Sequence, residues 1–287
     1  MERANGARYN GRMTDAPTDA PPPPTAPDLS YGDYLALGAI LSAQHPRSDQ
    51  HDEMLFIIIH QASELWMKLS IHELTAARDR IAADDLASAL KMIARVGRIQ
   101  AQMIQSWDVL ATLTPTEYGR IRPSLGQSSG FQSFQYRLLD FILGARDARA
   151  LKVHEATPEI HARLTAMLNA PSLYDEAVRL LARRGFAIPA EALARDWSAP
   201  HAPDPAVEAA WLAVYRDPEG LWDLYDLAEK LVDLEYRFQQ WRFAHLKTVE
   251  RIIGGKMGTG GSAGLTYLAR AMQSPVFPEL LKVRGDL

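Results

Sequence analysis

The chain contains no cysteine. That absence removes disulfides, iron–sulfur clusters, thiolate-ligated haem, cysteinyl zinc sites and cysteine nucleophiles together, so any metal must rest on histidine or carboxylate. Long apolar runs are missing as well. The strongest, Met54 to Ile59, is far too short to span a bilayer, and no hydrophobic signal region follows the N-terminal arginines. The expectation is a soluble, cytoplasmic protein without a membrane partner. Nor is there a basic excess: 31 Lys and Arg stand against 35 Asp and Glu, a formal charge of −4, which gives no electrostatic reason to expect nucleic acid. Strand-like alternation and internal repeats are absent. No glutamate has a histidine three residues later, which sets aside a di-iron carboxylate bundle, and no His-x-x-x-His spacing offers a zinc site.

What remains is a chain of 287 residues, 47% hydrophobic and 23% charged, ordinary for a globular protein and long enough for one large domain or two small ones. Residues 1–28 are polar and proline-rich, with four consecutive prolines at Pro21 to Pro24, and read as a disordered lead-in; either Met1 or Met13 can be the start. From Leu29 to the C-terminus the pattern reads as a single helical domain. LSYGDYLALGAILSAQ predicts a first short helix capped by Ser30, with Tyr31 and Tyr34 one turn apart. A long helix follows from His51 to Ala82, its N-terminal acids Asp52 and Glu53 complementing the helix dipole, and a third runs from Leu86 to Leu110. Thr114-Pro115-Thr116-Glu117 carries a cap, a first-turn proline and a capping-box glutamate, and Pro123 stops that short helix near Arg122. A glycine- and serine-rich turn, Leu125 to Ser133, precedes a fourth helix, FQSFQYRLLDFILG. Lys152 to Pro218 reads as short helices punctuated by prolines, with Asp204-Pro205 and Asp217-Pro218 each as a cap followed by a first-turn proline. The fold class is all-α, a bundle of several long helices with short helical insertions.

The longest helical pattern begins at Leu221 and runs to Ile253. Leu231, Leu234, Phe238, Trp241, His245, Thr248 and Ile252 recur at three- and four-residue intervals and share one face. His245 is the one residue on that face able to bind a metal or move a proton. Its pattern fits two readings, a satisfied core histidine or the axial ligand of a buried haem. His60 sits in the row Phe56–His60–Ser63–Met67 of a different long helix, and in a bundle two such histidines can face one another across a cavity. Tyr118 and Arg122, four residues apart before the proline break, are either a solvated surface pair or a phenol and guanidinium converging on one carboxylate. The tail GGKMGTGGSAG holds six glycines in eleven residues. It matches a dinucleotide fingerprint in letters, yet follows a helix rather than a strand, so that mechanism is missing. It reads instead as a mobile lid with Thr259 as its most useful polar side chain.

Several stretches together resemble the tryptophan 2,3-dioxygenase family: LSYGDYL, HDEMLFIIIHQASELWMK, LTPTEYGRIRPSLGQSSGFQSFQYR, APSLYDE, ARDW, LVDLEYRFQQWRFAHLKTVERIIGGKMGTGGSAG and FPEL, in the family's order from Leu29 onwards. The resemblance implies a haem enzyme that adds both atoms of O2 across the C2–C3 bond of the L-tryptophan indole to give N-formyl-L-kynurenine, the first step of tryptophan catabolism by the kynurenine route. It implies one haem b per subunit, ferrous in the active form, with His245 as the axial iron ligand. It places the catalytic His60 on the distal side near the indole N–H, within a substrate-binding run Phe56, Ile57, Ile58, Ile59 and His60. Arg122 then pairs with the substrate carboxylate, assisted by Tyr118, and Thr259 contacts the amino-acid end. Ser129 and Gly130 belong to the distal pocket. Tyr31 and Tyr34 match positions that reach into a neighbouring subunit's site, which implies a homotetramer. Ile59 stands where many members carry a polar residue. Two rival readings are a haem sensor or carrier, which needs neither the Tyr118–Arg122 pair nor the lid, and an oxygenase acting on another indole or on tyrosine. A purely structural bundle leaves the clustered glycines unexplained.

Overall fold

The computed structural model describes residues 29–256 and 264–287. The proline-rich segment before Leu29, and Thr259 with most of the glycine tail, lie outside the described residues. By contacts the chain divides into two compact units, one ending at His45 and the other starting at Pro46. All regular structure among the described residues is helical.

In the first unit the expected single helix is two short ones, α1 (Tyr31–Tyr34) and α2 (Leu37–Leu41). The Ser30 side chain caps α1 by accepting from the Asp33 N–H. The break falls at Ala36, whose φ of 48° is left-handed, a conformation that cannot propagate a right-handed helix. Tyr31 and Tyr34 are 76% and 75% exposed.

The second unit is built on three long helices, α3 (Glu53–Ala82), α4 (Leu86–Leu110) and α11 (Trp222–Ile253). Between α4 and α11 come α5 (Pro115–Ile121), α6 (Phe134–Leu143), α7 (Pro158–Leu168), α8 (Leu173–Arg183), α9 (Ala190–Leu193) and α10 (Pro205–Arg216). After α11 come α12 (Gly264–Met272) and α13 (Pro278–Lys282). Helix α4 packs against both α3 and α11, α6 and α8 lie against α3, and α12 lies against α11. The apolar stripe of α4, Ile93, Val96, Ile99, Met103 and Trp107, is buried in this core. At 32 residues α11 is about 48 Å long, so it serves the core at one end and the cavity described below at the other.

Local chemistry sets the helix ends. Glu53 does more than complement the start of α3: its buried carboxylate accepts from the Arg47 N–H at 2.8 Å and the Ser48 N–H at 2.7 Å, and also takes the Ser48 hydroxyl, folding the loop ahead of the helix back onto it. Thr114 and Glu117 form the expected capping box. Helix α5 stops at Ile121 and continues as a 3-10 turn over Arg122–Leu125, because Pro123 has no N–H to donate. Asp204 caps α10 through the Ala206 N–H at 2.7 Å. Asp217 differs from expectation. It closes a turn onto the Gly220 N–H at 3.0 Å, and the helix begins only at Trp222. Gly144 ends α6 at φ 112°, where a Cβ would sit 3.3 Å from the Ser172 hydroxyl, so this stop suits glycine alone.

The C-terminal segment is fastened to α11. Glu235, buried, accepts from the Val276 and Phe277 N–H groups at 2.8 and 2.9 Å. The fully buried Glu279 accepts from the Tyr174 hydroxyl at 2.9 Å and the Asp204 N–H at 3.0 Å, and meets His201 Nε2 at 2.7 Å. Trp211 Nε1 donates to the Tyr174 oxygen at 3.2 Å. Buried carboxylates are tolerated here because each of their oxygens has at least one hydrogen-bond partner.

Candidate active site

Helices α3, α4, α5, α6, α11 and α12, with the loop from Leu125 to Ser133, line an open cavity of about 520 Å³. That is within the usual range for a cofactor or drug-sized ligand. Its wall is mostly apolar and aromatic, including Phe56, Met67, Trp107, Tyr118, Tyr136, Trp241 and Leu268.

Two histidines from different helices line it. His60 arrives from α3 one turn after Phe56, and the two rings lie 4.3 Å apart. Its Nδ1 is 2.7 Å from the Phe56 carbonyl oxygen. A carbonyl can only accept, so Nδ1 carries the proton and Nε2 is left with a lone pair. Burial holds this imidazole below its ordinary pKa, outweighing the Phe56 carbonyl and the Glu64 carboxylate, which both favour the proton. His60 is therefore a neutral acceptor at neutral pH. His245 arrives from α11, stacked on Trp107 at 4.4 Å and 7° and tilted against Trp241 at 5.9 Å. Burial, with His60 as a smaller cause, brings its pKa down to about 4, so it too is neutral and has a lone pair to give.

The other candidates fall into three groups. Phe56, Ile59, His60, Tyr118, Ser129 and Gly130 line the cavity. Ile57 and Ile58 are on the same turn of α3 but are not among the lining residues, and Ile58 is 46% exposed. Arg122 lies beyond the lining, half-buried, with its N–H bonded to the Tyr118 carbonyl and its charge close enough to act on the Tyr118 phenol. Burial raises the phenol's pKa despite that cation, so Tyr118 keeps its proton and can donate it. Tyr118 also sits 6.0 Å from the Phe56 ring. Ser129 caps the 3-10 turn Gly130–Gln132 by accepting from the Phe131 N–H at 3.4 Å, which leaves its own hydroxyl proton unused in that cap.

Several lining residues were not legible as site residues. Trp107, Trp241 and Leu268 occupy ordinary apolar positions of amphipathic helices, and nothing in the sequence separates a cavity-facing tryptophan from a packed one. Arg137, from α6, is the arginine or lysine that lines the cavity among the described residues. It ends the sequence FQSFQYR, where an arginine on a helix has no feature that sets it apart from a solvated one.

The donor set narrows what can be held. Among the described residues no group of three His, Asp or Glu side chains could hold a metal ion. A lone neutral imidazole retains iron only when the other ligands arrive with it, as in a porphyrin. An apolar cavity with His245 on one side, stacked rings around it, and Arg137 on the wall for an acidic substituent fits haem. The buried Trp107 and Trp241 Nε1 atoms, both on lining residues, have no acceptor among the described residues.

The class that the fold and site define is an all-α bundle around a histidine-lined, largely apolar cavity. A family model for tryptophan 2,3-dioxygenase matches residues 24–287. The chain is 61% identical over 259 residues to the tryptophan 2,3-dioxygenase of Erythrobacter litoralis, covering 90% of this chain and 98% of that one. It is 60% identical over 259 residues to tryptophan 2,3-dioxygenase 1 of Ralstonia nicotianae, covering 90% and 88%. To the Bacillus cereus enzyme of the same name it is 58% identical over 260 residues, covering 91% and 93%. The chain belongs to the tryptophan 2,3-dioxygenase family.

Proposed function

We propose that this protein inserts both atoms of O2 across the C2–C3 bond of the L-tryptophan indole, giving N-formyl-L-kynurenine, with haem b in the cavity, where His245 would hold its iron. The observation that carries the reading is the pair of neutral histidines, on α3 and α11, lining one apolar cavity. Bound ferrous haem supplies the redox-active iron that makes O2 reactive toward an electron-rich ring.

The chain's own work is positioning. His60 Nε2 accepts the indole N–H and sets the ring's orientation. Phe56 and Ile59 form the wall beside it, with Ile57 and Ile58 completing the same turn. At the amino-acid end the Arg122 guanidinium holds the carboxylate, and the protonated Tyr118 phenol adds a donor. Ser129 and Gly130 border the distal side, and Thr259 is assigned to the ammonium or carboxylate end. The apolar lining excludes water, which strengthens each of these bonds.

The assembly is a homotetramer in the cytoplasm. The wide exposure of Tyr31 and Tyr34 supports a second copy covering them, and no helix among the described residues is long and apolar enough to cross a membrane. The test is to supply the purified protein with haem, reduce it, and add L-tryptophan and air. Formylkynurenine absorbance should rise while a Soret band persists. No product from a haem-loaded protein, or retention of iron by a His245→Ala variant, would overturn the reading.

A further inference from the structure

Among the described residues, Glu64 is the carboxylate that lines the cavity. It stands on α3 one turn after His60. Side chains four apart on a helix share a face, with Cβ atoms about 5–6 Å from each other, so the carboxylate and the imidazole are neighbours on the same wall. Glu64 does not swing freely. Gln135, at the start of α6, donates from Nε2 to Glu64 Oε2 at 2.8 Å and to the Glu64 backbone carbonyl, also at 2.8 Å. One amide nitrogen thus grips the residue at both ends and fixes its rotamer. Gln135 is a neutral donor, so this bond leaves the carboxylate its charge. Two neutral amides would tie α3 to α6 equally well, and the tie therefore does not account for a charge at this position. His60 does. Its Nδ1 proton is committed to the Phe56 carbonyl, so a negative charge beside the ring acts on the Nε2 lone pair, which it makes a stronger acceptor in a largely apolar cavity. The same charge, with the Phe56 carbonyl, opposes the effect of burial on that imidazole.

We propose that Glu64 is a positioning residue: held by Gln135, its charge strengthens His60 Nε2 as an acceptor and so sharpens the choice of ring substrates that present an N–H over those that do not. The inference rests on the reading of His60 as the acceptor for the indole N–H. Hydrogen bonds gain strength as charge is brought to bear on them, and a ring without the donor gains nothing from a stronger acceptor. The effect is therefore confined to the N–H and leaves apolar contacts with the ring untouched. Selection for an indole over a ring of the same shape belongs in this view to a chain of three side chains, His60, Glu64 and Gln135.

The experiment measures binding rather than turnover. L-Tryptophan and 3-(benzo[b]thiophen-3-yl)-L-alanine, the same amino acid with sulfur in place of the ring N–H, are titrated into reduced, haem-loaded, full-length protein kept free of O2. Both are followed through the Soret band, and the ratio of their dissociation constants is the N–H selectivity. Wild type should prefer tryptophan by about two- to tenfold, the worth of a neutral hydrogen bond. Glu64→Gln keeps an acceptor for Gln135 but removes the charge. It should lower the ratio about two- to threefold by weakening tryptophan alone, with the sulfur analogue bound as before. In a His60→Ala background the same substitution should change neither affinity, because Glu64 acts through His60. Equal weakening of both ligands, or a loss that persists without His60, would show that Glu64 only supports the wall and would refute the proposal, as would an unchanged ratio in Glu64→Gln. Should Glu64→Gln fail to fold, Gln135→Leu leaves the charge but releases its hold, and it too should lower the ratio; an unchanged ratio there counts against the proposal. A wild-type ratio near one, or a ratio unaltered by His60→Ala, would instead sink the reading of His60 as the indole acceptor, and the role of Glu64 with it.

Discussion

Replacing His60 by alanine separates two roles that a distal imidazole can play. Its Nδ1 proton is committed to the Phe56 carbonyl at 2.7 Å, and burial keeps the ring neutral. Nε2 is therefore an acceptor toward the cavity. If it only orients the indole N–H, the loss is that of one neutral hydrogen bond, about 0.5–1.5 kcal/mol. That is roughly a two- to tenfold fall in kcat/KM, allowing a little more for the lost contact with Phe56. If it removes the proton as a general base, the fall should be about 100- to 10,000-fold. The indole N–H is a very weak acid, and attack at the ring carbons does not require its removal, so the smaller figure is expected. The assay is kcat/KM from formylkynurenine formation with L-tryptophan and with 1-methyltryptophan, whose ring nitrogen has no proton. Wild type should prefer tryptophan, and the preference should collapse toward parity in His60→Ala. A variant that binds tryptophan normally yet turns over more than about 100-fold more slowly would refute the orientation role.

Other outcomes follow from the same geometry. Arg122→Ala should raise KM for L-tryptophan about 10- to 100-fold, the worth of a charge-assisted bond, with kcat little changed; an unchanged KM would remove Arg122 from the carboxylate site. The apoprotein should lose stability as pH falls from about 6.5 toward about 4, because His245, depressed to about 4 when folded, takes up its proton more readily unfolded. That contribution, roughly 3 kcal/mol, is fully present above pH 6.5 and is lost by about pH 4; chemical denaturation across that range measures it, and a flat profile would contradict a buried neutral imidazole. Arg146→Met should lower the melting temperature by roughly 10 °C. The Arg146 side chain is fully buried and donates to the carbonyls of Met167, Leu168 and Ala170 at the end of α7, which methionine would strand.

Periodicity made the long helices readable, because each has one face that must be buried. The row from Leu231 to Ile252 is buried in the core as far as Phe238 and lines the cavity from Trp241 through His245 and Thr248 to Ile252. Caps were equally legible at Thr114 and Asp204, where a short side chain has a nearby N–H to satisfy. Asp217 shows the limit: the same Asp-Pro pair satisfied a turn instead, since both structures use the side chain alike. Ala36 gave no warning of a left-handed kink. Within the site, histidines stand out because few residue types offer a neutral lone pair, whereas Trp107, Trp241 and Leu268 look like core until the helices are placed. Glu64 and Gln135 were hidden for a related reason. Polar side chains on a helix read as solvated, and only three-dimensional packing shows that these two meet across α3 and α6.

The grip of Glu235 on Val276 and Phe277 has a practical side. Trimming the chain back past those two amides would leave a carboxylate sealed inside the protein with both its backbone donors gone, on the very helix that carries His245. The carboxyl end of this enzyme is accordingly a poor place to shorten or splice, and a shortened version that lost colour would be reporting a distant fault in its backbone anchorage rather than a missing active-site group.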